Sequence, residues 1–278
     1  MNIKDLVIRA GAGAIYVLLV LFGILGGRFS FVVVFGCITA VALYEFYRMM
    51  EKNTSHAISK ILNITAGVAI FLSVYLYLEG ICLYALSATI FVYLLALFAS
   101  AIFIRRNDIL YAIIYSVFGQ IYITLPMSLL MLISYRYNMV FSGYHYASVL
   151  AIFVFLWVND TAAYFLGSLF GKHKLIDRIS PKKSIEGFIA GIVFTVIASF
   201  IFAHQYPLFS YWIWIIFALI TSLAGTLGDL FESLIKRTCE VKDSGTLIPG
   251  HGGILDRIDS LLIAIPAVYL FLITFHSF

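Results

Sequence analysis

Between Ser233 and Ser260 the chain reads SLIKRTCEVKDSGTLIPGHGGILDRIDS, with two lysines, two arginines, four carboxylates, one histidine and four glycines. Carboxylates suit a hard cation, and ammonium and guanidinium groups suit phosphates. Glycines let a backbone bring its N–H groups close to an oxygen-rich ligand. Asp256 and Asp259 stand at i and i+3, so on a helix both can address one cation. Oxygen donors without a paired His or Cys favour Mg2+ over zinc. His251 is alone in its glycine loop, where hydrogen bonding or loop ordering is expected ahead of a general-base role. Just upstream, SLAGTLGDLFESLIKR puts Asp229, Glu232, Ser233 and Lys236 on one helical face, with Gly225 a turn before Asp229 and Arg237 beside Lys236.

Two further stretches carry polar groups. In WVNDTAAYFLG, Asp160 lies deep in an apolar run, beside Asn159 and four residues before Tyr164. A carboxylate there requires a partner or a wet cavity. A helix-packing role, with Gly167 and Gly171 as a small-residue contact, is the alternative. In GKHKLIDRISPKKSIEG, Ser180-Pro181 has the form of a helix start, which would set Lys182, Lys183 and Ser184 around an anion-binding N-terminus. The same basic residues could serve as an anchor to anionic headgroups. Together these groups suit Mg2+-dependent phosphoryl or nucleotidyl transfer on a phosphorylated lipid or its alcohol.

The elements that must position them are membrane helices. Of 278 residues 63% are hydrophobic and 12% charged, with a mean hydropathy of +1.03, against about 25% charged in soluble domains. Nine segments are apolar over about the 20 residues needed to span a bilayer: 11–27, 29–48, 60–79, 81–103, 109–134, 147–169, 187–204, 211–232 and 258–276. The first lacks a small-residue cleavage site and is read as a retained helix. With the N-terminus cytoplasmic, sixteen Lys and Arg fall on that side, and Arg28 and Arg136 on the other, as the positive-inside rule requires. The loops 170–186 and 233–257 then share the cytoplasmic face. The expectation is an all-α polytopic protein with about nine transmembrane helices. Residues 1–146 would form N-terminal helices and 147–278 a catalytic portion, within one integrated membrane unit. Glu45, the notable carboxylate of the first half, is read as a helix-end group near the headgroups, close to Arg48. Cys37, Cys82 and Cys239 are widely spaced, which suggests neither a disulfide framework nor a zinc site.

The C-terminal residues resemble the phosphatidate cytidylyltransferase (CDP-diacylglycerol synthase) family. Its signature is filled by Ser233, Lys236, Arg237, Lys242, Asp243, His251, Gly252, Gly253, Asp256, Arg257 and Asp259. The Asn159-Asp160, Tyr164 and SPKKS segments resemble a second conserved region, with Ser184 where many relatives carry Thr. The resemblance covers roughly residues 155–260. It implies CTP and phosphatidate as substrates, CDP-diacylglycerol and pyrophosphate as products, and no nucleic-acid partner. It also implies Mg2+, a second monovalent cation such as K+, a homodimer among membrane lipids, and a cell-membrane location with the site facing the cytoplasm. In that frame Asp229 and Asp256 are expected metal ligands, with Asp259 a third ligand or a partner of the other two. Lys182, Lys183 and Lys242 are expected on the CTP phosphates, and Lys236 and Arg237 on the lipid phosphate or the metal-site carboxylates. A CTP-dependent lipid kinase and an ion-coupled transporter built on Asp160 and Asp229 are the alternatives. The kinase would give different products, and the transporter would have no need of the glycine-rich acidic loop.

Overall fold

The computed structural model describes residues 3–54, 59–103, 109–137, 142–247 and 252–275. The helices are α1 (Ile3–Leu25), α2 (Arg28–Thr54), α3 (Lys60–Leu78), α4 (Ala85–Phe103), α5 (Ile109–Gly119), α6 (Leu125–Ser134), α7 (Ala147–Phe170), α8 (Ile185–Gln205), α9 (Tyr211–Thr238) and α10 (Leu255–Phe275). A π-helical turn, Gln120–Thr124, joins α5 to α6, so the described helices form nine rods. Eight of these are long and apolar enough to cross a membrane, and α1 contributes the shorter apolar stretch Gly11–Leu25. The chain is thus an all-α polytopic membrane protein. Its strands make two small ribbons, β1 (Tyr135–Tyr137) with β2 (Ser142–Tyr144), and β3 (Lys174–Ile176) with β4 (Ser180–Ser184).

The chain divides into two compact units. The first holds residues 1–135 together with 239–257. Its core is built on α2, where Phe31, Phe35, Leu43, Phe46 and Tyr47 are buried, with Phe71, Ile123 and Met127. A set of polar groups inside it is joined into a network, since hydrocarbon offers them no water. Tyr47 Oη donates to the Ser116 carbonyl at 2.7 Å, and Asn63 Nδ2 donates to Ser116 Oγ at 2.8 Å. Tyr93 Oη donates to Asn63 Oδ1 at 2.9 Å, and Gln120 Nε2, from the π-turn, donates to the Asn63 carbonyl at 2.7 Å.

The second unit holds residues 136–238 and 258–278. Here α7, α8 and α9 pack together around Phe155, Trp214 and Phe217, all fully buried. Phe155 meets Phe202 edge-on at 5.1 Å and Phe217 at 5.9 Å. Trp214 Nε1 donates to the Tyr206 carbonyl at 3.1 Å. Small residues set how closely the helices approach. A Cβ on Gly191 of α8 would stand 2.6 Å from Asn159 Oδ1, and one on Gly228 of α9 would stand 2.6 Å from the Asp259 carbonyl. With 28 residues α9 is about 42 Å long at 1.5 Å per residue, longer than the roughly 30 Å of bilayer hydrocarbon.

One local expectation is overturned. Ser180-Pro181 does not begin a helix. Residues 180–184 form β4, paired antiparallel with β3 in the register Lys174 with Ser184 and Ile176 with Ser180. The helix begins at Ile185, capped by Ser184, whose Oγ accepts the Gly187 N–H at 3.1 Å. Pairing with β3 explains the difference: Lys174 Nζ donates to the Pro181 carbonyl, and extended backbone at Ser184 (φ −117°, ψ 156°) suits an N-cap. Lys182 and Lys183 therefore project from a strand.

Candidate active site

The second unit gathers most of the sequence-predicted groups. Lys183 of β4 forms an ion pair with Asp229 of α9, each side chain 28% exposed. Ser233, one turn on, donates from Oγ to Asp229 Oδ1 at 3.4 Å. Lys236 pairs at i,i+4 with the fully buried carboxylate of Glu232. On α10, the Ser260 N–H donates to Asp259 Oδ1 at 2.6 Å, and the charges acting on Asp259 are those of Asp229, Glu232 and Lys236. Asp160 of α7 accepts from Asn159 Nδ2 at 3.2 Å and feels the charges of Asp229 and Lys183. Asn159 is itself buried and fixed by Ser222 Oγ, which donates to its Oδ1 at 2.5 Å. Asp160 thus joins Asp229 in one electrostatic cluster despite the 69 residues between them. Tyr164 takes no hydrogen bond to Asp160 among the described residues and is 81% exposed.

This cluster has four carboxylates and two ammonium groups. That excess of negative oxygen donors suits a hard divalent cation. Among the described residues no three His, Cys, Asp or Glu side chains already close a metal shell. Mg2+ commonly keeps several waters and takes one or two protein carboxylates, so Asp229 and Asp259 are the carboxylates that could hold one. The Lys183 ammonium, at the end of a flexible stem, already stands where such a cation would be attracted.

The first unit holds a second carboxylate centre, with Asp256 at its middle. The Ser244 N–H donates to Asp256 Oδ1 and Oδ2 at 3.2 and 3.0 Å, and the Gly253 N–H to Oδ2 at 2.7 Å. Gly252 turns the backbone with φ +85°, and a Cβ there would meet Asp256 Oδ2 at 2.5 Å. Asp256 therefore ties Ser244 and Gly253 to the first turn of α10. Glu45 is a correction to the sequence reading. It is 3% exposed and accepts the Leu255 N–H at 2.9 Å and the Ser244 hydroxyl at 3.4 Å. An acidic residue inside an apolar run was the available signal, but not its partners. Lys182, Arg237, Lys242, Asp243 and Arg257 are exposed. The Arg257 carbonyl accepts from Tyr16 Oη at 3.1 Å. His251 lies outside the described residues.

Residues 7–275 match the model of the cytidylyltransferase family. The chain belongs to that family. It is 43% identical over 140 residues to a phosphatidate cytidylyltransferase of Staphylococcus saprophyticus, covering 50% of this chain and 53% of that protein. Proteins of the same name from Staphylococcus haemolyticus and Staphylococcus aureus are 46% and 47% identical over 133 residues, 47% of this chain and 50% of each. The chain thus spans about half the length of the curated relatives it matches.

Proposed function

We propose that this protein is a phosphatidate cytidylyltransferase, which transfers the cytidylyl group of CTP to the phosphate of phosphatidate at the cytoplasmic face of the cell membrane, as a step of phospholipid synthesis. The observation that carries the reading is the grouping of Asp160, Asp229, Glu232 and Asp259 with Lys183 and Lys236 in one unit of a family member. A phosphatidate oxygen bonds to the α-phosphorus of CTP. The bond from that phosphorus to the bridging oxygen breaks, and its electron pair leaves with pyrophosphate. A phosphate monoester with a second pKa near about 6 is already ionised at neutral pH, so no strong general base is required. This agrees with a loop-ordering role for His251.

Asp229 and Asp259 would hold Mg2+, with Asp256 a third candidate from its i, i+3 spacing in the sequence. When bound, Mg2+ neutralises charge on the phosphates and the leaving group. Lys183, with Lys182 beside it, binds the CTP phosphates, and Lys242 is a further candidate from the sequence alone. Lys236, oriented by Glu232, and Arg237 take the lipid phosphate. Asp160, held by Asn159, orients Lys183, or would help to hold a second, monovalent cation such as K+. Ser184 fixes the end of β4 and so the reach of Lys183. A homodimer belongs to the same proposal.

Two labels test the reaction. Purified protein is incubated with phosphatidate, Mg2+ and CTP labelled at either the α or the γ phosphorus. Cytidylyl transfer carries the α label into the lipid phase and leaves the γ label in pyrophosphate. Given diacylglycerol as the acceptor, entry of the γ label instead would identify a lipid kinase and overturn the proposal.

A further inference from the structure

The first half of the chain holds a carboxylate that the reaction does not call for. Glu45 lies on α2, 3% exposed. Its Oε2 accepts the N–H of Leu255, 210 residues later, and the hydroxyl of Ser244, 199 residues later. A helix N-terminus has orphan N–H groups, normally served by a polar side chain just before it. Here that residue is Ile254, which has none. Glu45 supplies the acceptor from another helix, at the positive end of α10.

The loop fits closely around this carboxylate. A Cβ on Gly245 would stand 2.5 Å from Glu45 Oε1, and one on Gly253 would stand 2.6 Å from Glu45 Cδ. Any side chain at either position would push against Glu45. Asp256 completes the arrangement by accepting from the Ser244 and Gly253 N–H groups. The segment carrying Lys242, Asp243 and Asp256 is therefore shaped around a group from α2. Burying a carboxylate costs free energy unless it is hydrogen-bonded, so its place here is tied to those partners.

We propose that Glu45 is a positioning residue for the reaction, a buried acceptor that sets the shape of the stretches 239–247 and 252–257 and acts through Leu255, Ser244 and Gly245. The consequence for catalysis rests on the cytidylyltransferase reading, whereas the shaping of the loop can be measured without it.

Cys239, at the start of the segment, is 4% exposed and reports on the loop. In full-length detergent-solubilised protein carrying Cys37→Ser and Cys82→Ser, maleimide modification of Cys239 is timed alongside transfer of α-labelled CTP. Glu45→Ala should speed modification by about tenfold through local opening and cut label transfer by about a hundredfold through misplacement of the loop. Glu45→Gln keeps an acceptor oxygen for Leu255 and should recover most of both. Gly245→Ala should reproduce Glu45→Ala by crowding the carboxylate. Because the alanine fits once the carboxylate is gone, the double variant should be no worse than the poorer single one. Cys239 modification and label transfer both within twofold of wild type in Glu45→Ala would overturn the proposal, and so would losses that multiply in the double variant. Should Glu45→Ala fail to fold, Glu45→Gln and Gly245→Ala decide on the same two readouts: wild-type values for Gly245→Ala would refute it. Absence of label transfer in the wild type would refute the cytidylyltransferase reading, while the Cys239 rates would still decide the role of Glu45.

Discussion

The two units each bury carboxylates, and they neutralise them differently. In the first, Glu45 and Asp256 accept N–H groups of Ser244, Gly253 and Leu255. In the second, Asp229 and Glu232 face the ammonium groups of Lys183 and Lys236. Backbone donors are fixed by the fold, so carboxylates that bind them hold architecture. A lysine ammonium rides on four methylenes and can yield its place to another cation or turn to a phosphate. The first arrangement builds a loop, and the second can exchange partners during a reaction.

The sharpest way to break this comparison is Asp229→Asn. It preserves shape and removes charge, so activity should fall by on the order of 10²–10³-fold, as when a preorganised electrostatic group is lost. The melting temperature should stay close to wild type. Asp259→Asn should behave alike, and near-normal turnover of either at ordinary Mg2+ would remove them from the site.

Asn159→Ala and Asp160→Asn come next. Loss of a group that orients others typically costs about 10–100-fold. Reduced kcat or a raised Mg2+ requirement at unchanged melting temperature is expected. Lower stability with kcat and metal dependence intact would confine both residues to helix packing.

Asp256→Asn tests the other side of the comparison. It weakens acceptance from two backbone donors, so unfolding should be easier by about 1–3 kcal/mol, read as a lower melting temperature. The candidate ligand role adds a raised Mg2+ requirement. An unchanged requirement would leave Asp256 to loop closure alone.

The smallest effect concerns Cys239. Burial raises its thiol pKa above the ordinary value. The thiolate is the nucleophile, so less of it is present at any given pH. Maleimide modification in the Cys37→Ser, Cys82→Ser background should be slow at neutral pH and rise only at higher pH than for a free thiol. Ordinary kinetics would mean that the first unit does not seal its loop.

The sequence by itself determined the class of molecule and the family it belongs to. A membrane span is a local property, about twenty apolar residues in a row, so eight of the nine expected spans recur as long apolar helices, while α1 supplies only the shorter apolar stretch Gly11–Leu25. The signature from Ser233 to Asp259 was equally legible, because it is a run of residue types at fixed spacing, and the family it resembles is the one whose model matches residues 7–275. The local pattern failed at Ser180-Pro181, where pairing with β3 outweighed the helix-start signal. Tertiary structure decided which charges meet. Lys183 pairs with Asp229 46 residues away, and Glu45 accepts from Leu255 across 210. Residue spacing carries no information at that range. A buried carboxylate announces that it needs partners, but only the packing of helices against one another selects them.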